Sequence, residues 1–168
     1  KTGLFENPYP EPASFGNFGK PEFQQYALEA AREAMTLLKN SDNILPLAKN
    51  KKVLVAGPAA QSISALNGCW SYTWQGNDDR WYPADSKTIY QAFVDKIGAG
   101  NVLTTTQKGF GSPQNYDVNA LKTAATLADV IVLCIGENAY AESPGNTRDL
   151  ALPKEQEDLV VAAALTGK

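Results

Sequence analysis

Two glutamates, an aspartate, a tyrosine and an arginine share the stretch Ile135-Gly136-Glu137-Asn138-Ala139-Tyr140-Ala141-Glu142-Ser143-Pro144-Gly145-Asn146-Thr147-Arg148-Asp149-Leu150, between an apolar run and Leu152-Pro153. The chain has no histidine, so proton transfer falls to Asp, Glu, Tyr or Lys, and Ser-His-Asp, Cys-His and His-ligated zinc chemistries are excluded. Glu137 lies directly at the expected strand end, where a backbone-anchored structural role is common. Glu142 lies further out, between Ala141 and Ser143, free to reach a ligand. The competing reading is a solvated charged turn that caps the following helix through Arg148 or Asp149.

A second unusual segment is Gly68-Cys69-Trp70-Ser71-Tyr72-Thr73-Trp74-Gln75-Gly76, with three large rings in five residues. An exposed indole beside hydrogen-bonding groups suits a sugar, whose apolar C–H face stacks on the ring while its hydroxyls reach polar neighbours. Alternatively the rings only pack this loop onto its own sheet. Trp74 is the ring expected to be exposed.

These segments need elements to position them. Lys52-Val53-Leu54-Val55-Ala56-Gly57 is a continuous apolar run, as in a central parallel strand buried on both faces. Asn101 to Thr106 and Asp129 to Ile135 read as further strands. Helical spacing runs from Pro21 to Lys39. It returns after Ser86, a candidate cap, with Ile89, Phe93 and Ile97, then over Asp117 to Ala128, and over Lys154 to Leu165 with Leu159, Val160, Ala163 and Ala164 apolar. Strands alternating with helices predict an α/β fold, a mostly parallel sheet flanked by helices in Rossmann-like layers. A polar loop at the carboxyl end of such a strand faces a crevice, where ligands bind.

The 168 residues suffice for one domain with a core. A net charge of −3 recommends no nucleic acid, and no stretch approaches the ~20 apolar residues of a membrane helix. Gly57-Pro58-Ala59-Ala60 is neither a dinucleotide fingerprint nor a P-loop, so no nucleotide, cofactor or metal is called for. Cys69 and Cys134 form no CxxC pair, and Cys134 reads as a small buried thiol rather than half of a disulfide. Leu4 to Pro21, rich in proline and glycine, reads as an extended surface linker whose Phe5, Tyr9, Phe15 and Phe18 dock onto something. The start at Lys1-Thr2-Gly3 and the stop at Gly167-Lys168 read as ends of an excised piece, and a targeting segment could have stood upstream.

Taken in order, these segments resemble the second, α/β-sandwich domain of glycoside hydrolase family 3, in its β-glucosidase and exo-β-glucan hydrolase branch. Gly3-Leu4-Phe5-Glu6-Asn7-Pro8-Tyr9 is similar to the end of that family's preceding (β/α)₈ barrel and its linker. Ala30-Ala31-Arg32-Glu33-Ala34-Met35-Thr36-Leu37-Leu38-Lys39-Asn40 with Leu45-Pro46-Leu47 is similar to the sandwich domain's opening helix. Trp70 to Gly76 and Gly136 to Glu142 resemble its two active-site segments.

The resemblance implies an interdomain linker over residues 1–20 and a partial sandwich domain over 21–168, continued by further strands beyond Lys168. It implies retaining, exo-acting hydrolysis of a β-glucoside or β-glucan, with the nucleophilic aspartate on the barrel of the same protein. Such hydrolysis needs two carboxyl groups about 5 Å apart, one attacking the anomeric carbon while the other protonates the leaving oxygen. Glu142 matches the general acid/base, with Glu137 the fallback. Trp74 matches the tryptophan flanking the leaving-group sugar, and Trp70, Tyr140 and Arg148 are further substrate-binding candidates. No cofactor is implied, the location is periplasmic or extracellular, and the chain alone should hydrolyse nothing. The rival reading is a non-catalytic carbohydrate-binding or interaction module built on the same domain.

Overall fold

A computed structural model describes residues 2–9 and 11–168. Its contacts divide the chain into two compact units, Lys1–Pro46 and Leu47–Lys168.

In the first unit a 3₁₀ turn, Pro12–Asn17, interrupts the segment expected to be extended, and helix α1 spans Pro21–Ala34 with Pro21 in its first turn. Pro10 lies outside the described residues. Phe5, Tyr9, Phe15 and Phe18 are all exposed. The helix stops at Ala34 instead of reaching Lys39, because Met35 is extended and the Thr36 hydroxyl donates to the Ala34 carbonyl at 3.4 Å. Leu37 and Leu38, which would continue the apolar stripe, are exposed, and without burial little offsets the entropy of another turn.

The second unit carries three parallel strands, β1 (Val53–Ala56), β2 (Val102–Leu103) and β3 (Val130–Leu133), in the order β2-β1-β3. Val53 pairs with Val102 on one side and Val130 on the other, and Ala56 pairs with Leu133. Helices α2 (Ile89–Ile97), α3 (Val118–Ala125) and α4 (Lys154–Ala164) supply the covering layers. Because successive side chains of a strand point to opposite faces, β1 feeds both cores. Leu54 and Ala56 pack with Leu121, Ala125, Leu159 and Ala162 of α3 and α4, whereas Val53 and Val55 meet Ile89, Phe93 and Ile97 of α2. The continuous apolar run of β1 is therefore buried throughout, as a central strand requires. The architecture is the expected α/β layering.

Three local readings are corrected. Thr88, not Ser86, caps α2: its hydroxyl accepts from the Gln91 N–H at 3.2 Å, and Gln91 Oε1 accepts from the Thr88 N–H at 3.0 Å. Ser86 is followed three residues later by Ile89, which has no side-chain acceptor to return that bond. Strand β2 ends after Leu103, where Thr104 and Thr106 turn their hydroxyls to backbone groups, the former accepting from the Thr106 N–H at 3.1 Å and the latter donating to the Gly57 carbonyl at 3.4 Å. Helix α4 buries Gln156, Leu159 and Ala162 at threefold spacing and leaves Val160 exposed.

Cys69 is exposed, and Cys134 is buried just beyond β3, where burial pushes its thiol up to about 11. No helix among the described residues is long and apolar enough to cross a membrane.

Candidate active site

From β1 the chain crosses through α2 to β2, then returns through α3 to β3 on the opposite side of β1. The carboxyl ends of β1 and β3 are therefore the point where the winding reverses, and open α/β sheets bind ligands outside that point. The loop after β1 carries the aromatic segment and the loop after β3 carries the acidic one, so the topology gathers both at this edge.

The two loops are tied by side chains. Asp79 accepts from the Ser64 N–H at 2.8 Å and the Ile63 N–H at 3.3 Å, folding the far arm of the aromatic loop back onto its start. Ser64 donates to Asn138 Oδ1 of the acidic loop at 2.9 Å, and the buried hydroxyls of Ser62 and Ser64 lie 3.0 Å apart. Gln75 grips Ala141 by both backbone groups: Oε1 accepts from its N–H at 2.7 Å and Nε2 donates to its carbonyl at 3.4 Å. Gln75 follows Trp74 and Ala141 precedes Glu142, so this pair of bonds holds the candidate platform beside the candidate acid.

Within the aromatic loop the Trp70 N–H donates to the Trp74 carbonyl at 3.0 Å, and the two indoles sit 6.2 Å apart, tilted by 36°. Tyr72 meets Tyr82 edge-on at 5.1 Å, and the Tyr82 hydroxyl donates to the Gly76 carbonyl at 2.8 Å. Trp74, the ring expected to be exposed, is exposed at 52 %, as are Trp70 at 69 % and Trp81 at 61 %.

In the acidic loop Tyr140 donates its hydroxyl to Glu137 Oε2 at 2.7 Å, and its ring lies against Gly145, where a Cβ would stand 2.6 Å from it. That bond and the Glu137 charge raise the Tyr140 phenol above its ordinary value, because ionisation would set two anions side by side. Glu142 is exposed, and its carboxylate has no hydrogen bond or ion pair among the described residues. Its backbone adopts φ 56°, ψ −130°, and Trp70 and Tyr72 also have φ of 61°. Non-glycine residues held at positive φ typically cost about 1–3 kcal/mol each and collect at functional sites. Arg148 is exposed, and no hydrogen bond or ion pair among the described residues ties it to the other candidates. The site thus offers a carboxyl without an internal partner and a pair of exposed indoles, which suits proton transfer to a ligand stacked on an aromatic face.

The sequence reading passed over Gln156 and Asp79. Gln156 is fully buried, its Oε1 accepting from the Gly136 N–H at 2.9 Å and its Nε2 donating to the Gly136 carbonyl at 2.7 Å. Its signal was present as one polar residue on a stripe with Leu159 and Ala162. Asp79 carried none, because loop pairings over such separations have no period.

Residues 35–168 match the glycosyl hydrolase family 3 C-terminal domain. The chain is 36 % identical over 174 residues to the lysosomal beta glucosidase of Dictyostelium discoideum, covering 99 % of this chain and 21 % of that protein. It is 29 % identical over 195 residues to the periplasmic beta-glucosidase of Salmonella typhimurium, covering 99 % of this chain and 24 % of that one. The solved beta-glucosidase of Listeria innocua in complex with glucose superposes with a TM-score of 0.73 at 27 % identity, over 99 % of this chain and 22 % of that one. The chain spans about a fifth to a quarter of the length of these relatives. Sheet order, loop placement and a family match from residue 35 to the last residue agree, and the chain belongs to glycosyl hydrolase family 3, in its C-terminal domain.

Proposed function

We propose that this chain is the part of a retaining, exo-acting β-glucosidase or β-glucan glucohydrolase that supplies the general acid/base and the aglycone-side aromatic surface. Glu142 protonates the leaving oxygen and then activates water. Trp74 stacks on the leaving-group sugar, and Trp70, Tyr140 and Arg148 line the approach. The nucleophile lies on a (β/α)₈ barrel of the same protein, joined through residues 1–20 to the domain formed by residues 21–168. Similarity to proteins named as lysosomal and periplasmic β-glucosidases supports the β-glucoside class and a location outside the cytoplasm.

The observation that carries this reading is the Gln75–Ala141 pairing, which sets an aromatic loop and an unpartnered carboxyl side by side at the sheet's reversal point. It favours Glu142 over Glu137, whose carboxylate already accepts from Tyr140.

The test is aryl β-glucoside hydrolysis by the full-length protein and its Glu142→Ala variant. Loss of about 10²–10⁴-fold on a poor leaving group is expected, general acid catalysis being worth that much. On an activated aryl β-glucoside, whose aglycone departs without a proton, azide should restore turnover by attacking the glycosyl-enzyme and give a glycosyl azide of retained configuration. Near-wild-type activity would return Glu142 to a solvated turn and move the role to Glu137.

A further inference from the structure

Glu142 takes no direction from its own side chain, which has no partner among the described residues, so its carboxyl lies wherever its backbone puts it. That backbone is held on both sides. Ahead of it Ala141 is buried, with its N–H and carbonyl both bonded to Gln75; behind it the Glu142 carbonyl accepts from the Gly145 N–H at 2.8 Å. Between these anchors φ 56°, ψ −130° is a conformation that an L-residue leaves when released. Gln75 is the only one of the two anchors to come from another loop, the one that follows β1, and water has poor access to replace it at buried Ala141.

We propose that Gln75 is a positioning residue for the acid/base, fixing the Glu142 carboxyl through the backbone of Ala141; the proposal rests on the assignment of Glu142 above. It makes a specific demand. Removing the Gln75 amide should harm those reactions that need a proton delivered to the leaving group and spare those that do not. A structural role in the fold would make no such distinction.

The test compares kcat/KM of the full-length protein for phenyl β-glucoside and 2,4-dinitrophenyl β-glucoside across Gln75→Met, Gln75→Glu and Glu142→Gln. Methionine keeps the length of the side chain and removes both bonds, and glutamate keeps the acceptor for the Ala141 N–H. Gln75→Met is expected to lose about 100-fold on the phenyl substrate, the scale of an ångström-sized misplacement, with the dinitrophenyl value within about fivefold of wild type because that aglycone departs without protonation. Gln75→Glu is expected to recover part of the phenyl loss. Equal losses on both substrates, as misfolding would give, or no loss on either, would overturn the positioning role while Glu142→Gln alone remained leaving-group dependent. If Glu142→Gln showed no such dependence, the acid/base assignment would fall and the positioning role with it.

Discussion

The amide of Gln156 in α4 closes two hydrogen bonds on the backbone of Gly136, at 2.9 and 2.7 Å, where the chain leaves β3 for the acidic loop. Gln75 makes the same pattern of bonds on Ala141 five residues later, so the loop is pinned at both ends by side-chain amides from different elements. Replacing Gln156 with leucine keeps its volume near the core but takes the partner from the half-buried N–H and carbonyl of Gly136. A fully buried unsatisfied group costs about 1–3 kcal/mol and a half-buried one less, so Gln156→Leu is expected to destabilise the domain by about 1–3 kcal/mol. Native-state hydrogen exchange at Gly136 and urea unfolding measure it, and a change under about 0.5 kcal/mol, the range of an ordinary surface substitution, would refute the clamp.

The layers were legible because burial leaves a period. The apolar run Val53–Ala56 signalled a strand covered on both faces, and both faces are filled. Leu121 and Leu159 lay on readable helical stripes. What failed was decided by polar side chains acting on backbone at a distance in sequence or on their own neighbours. Thr104 and Thr106 shortened β2, Gln91 shifted a cap from Ser86 to Thr88, and Thr36 ended α1 early. The acidic and aromatic loops were recognisable by composition, and the bond between them was not, since Gln75 and Ala141 are 66 residues apart.

The Tyr140 phenol should respond to its Glu137 neighbour. The Tyr140 phenol is raised chiefly by the hydrogen bond it donates to Glu137 and then by that carboxylate's charge. A folded value above the unfolded one means that the bond's contribution is fully present below the unfolded pKa and is lost as pH rises through the folded one. Glu137→Gln removes the charge, and the Tyr140 value should fall back toward about 10, the ordinary tyrosine figure. NMR of ring-labelled tyrosine, assigned with Tyr140→Phe, follows it; an unmoved titration would show that the two groups do not interact in solution.

Gly57 closes β1 against β3 and sets the distance between the two loops. Its φ is 95°, and a Cβ there would stand 2.4 Å from the Cys134 carbonyl oxygen. That oxygen cannot yield easily, because it accepts from the Ala59 N–H at 3.1 Å while the Cys134 N–H donates to the Ala56 carbonyl at 2.8 Å. Gly57→Ala therefore combines left-handed strain with overpacking against fixed backbone, each worth about 1–3 kcal/mol, and should cost about 3 kcal/mol or more. Gly100→Ala is the control, since a Cβ at Gly100 meets nothing within 4 Å. It should shift stability by less than about 0.5 kcal/mol. Thermal unfolding of both variants decides the matter. Because the strain sits where both site loops depart, Gly57→Ala in the full-length protein should also, on the function proposed above, lower hydrolysis of every aryl β-glucoside alike, unlike a change at Gln75. Equal stabilities for the two alanine variants would mean that the ends of β1 and β3 are not held this closely.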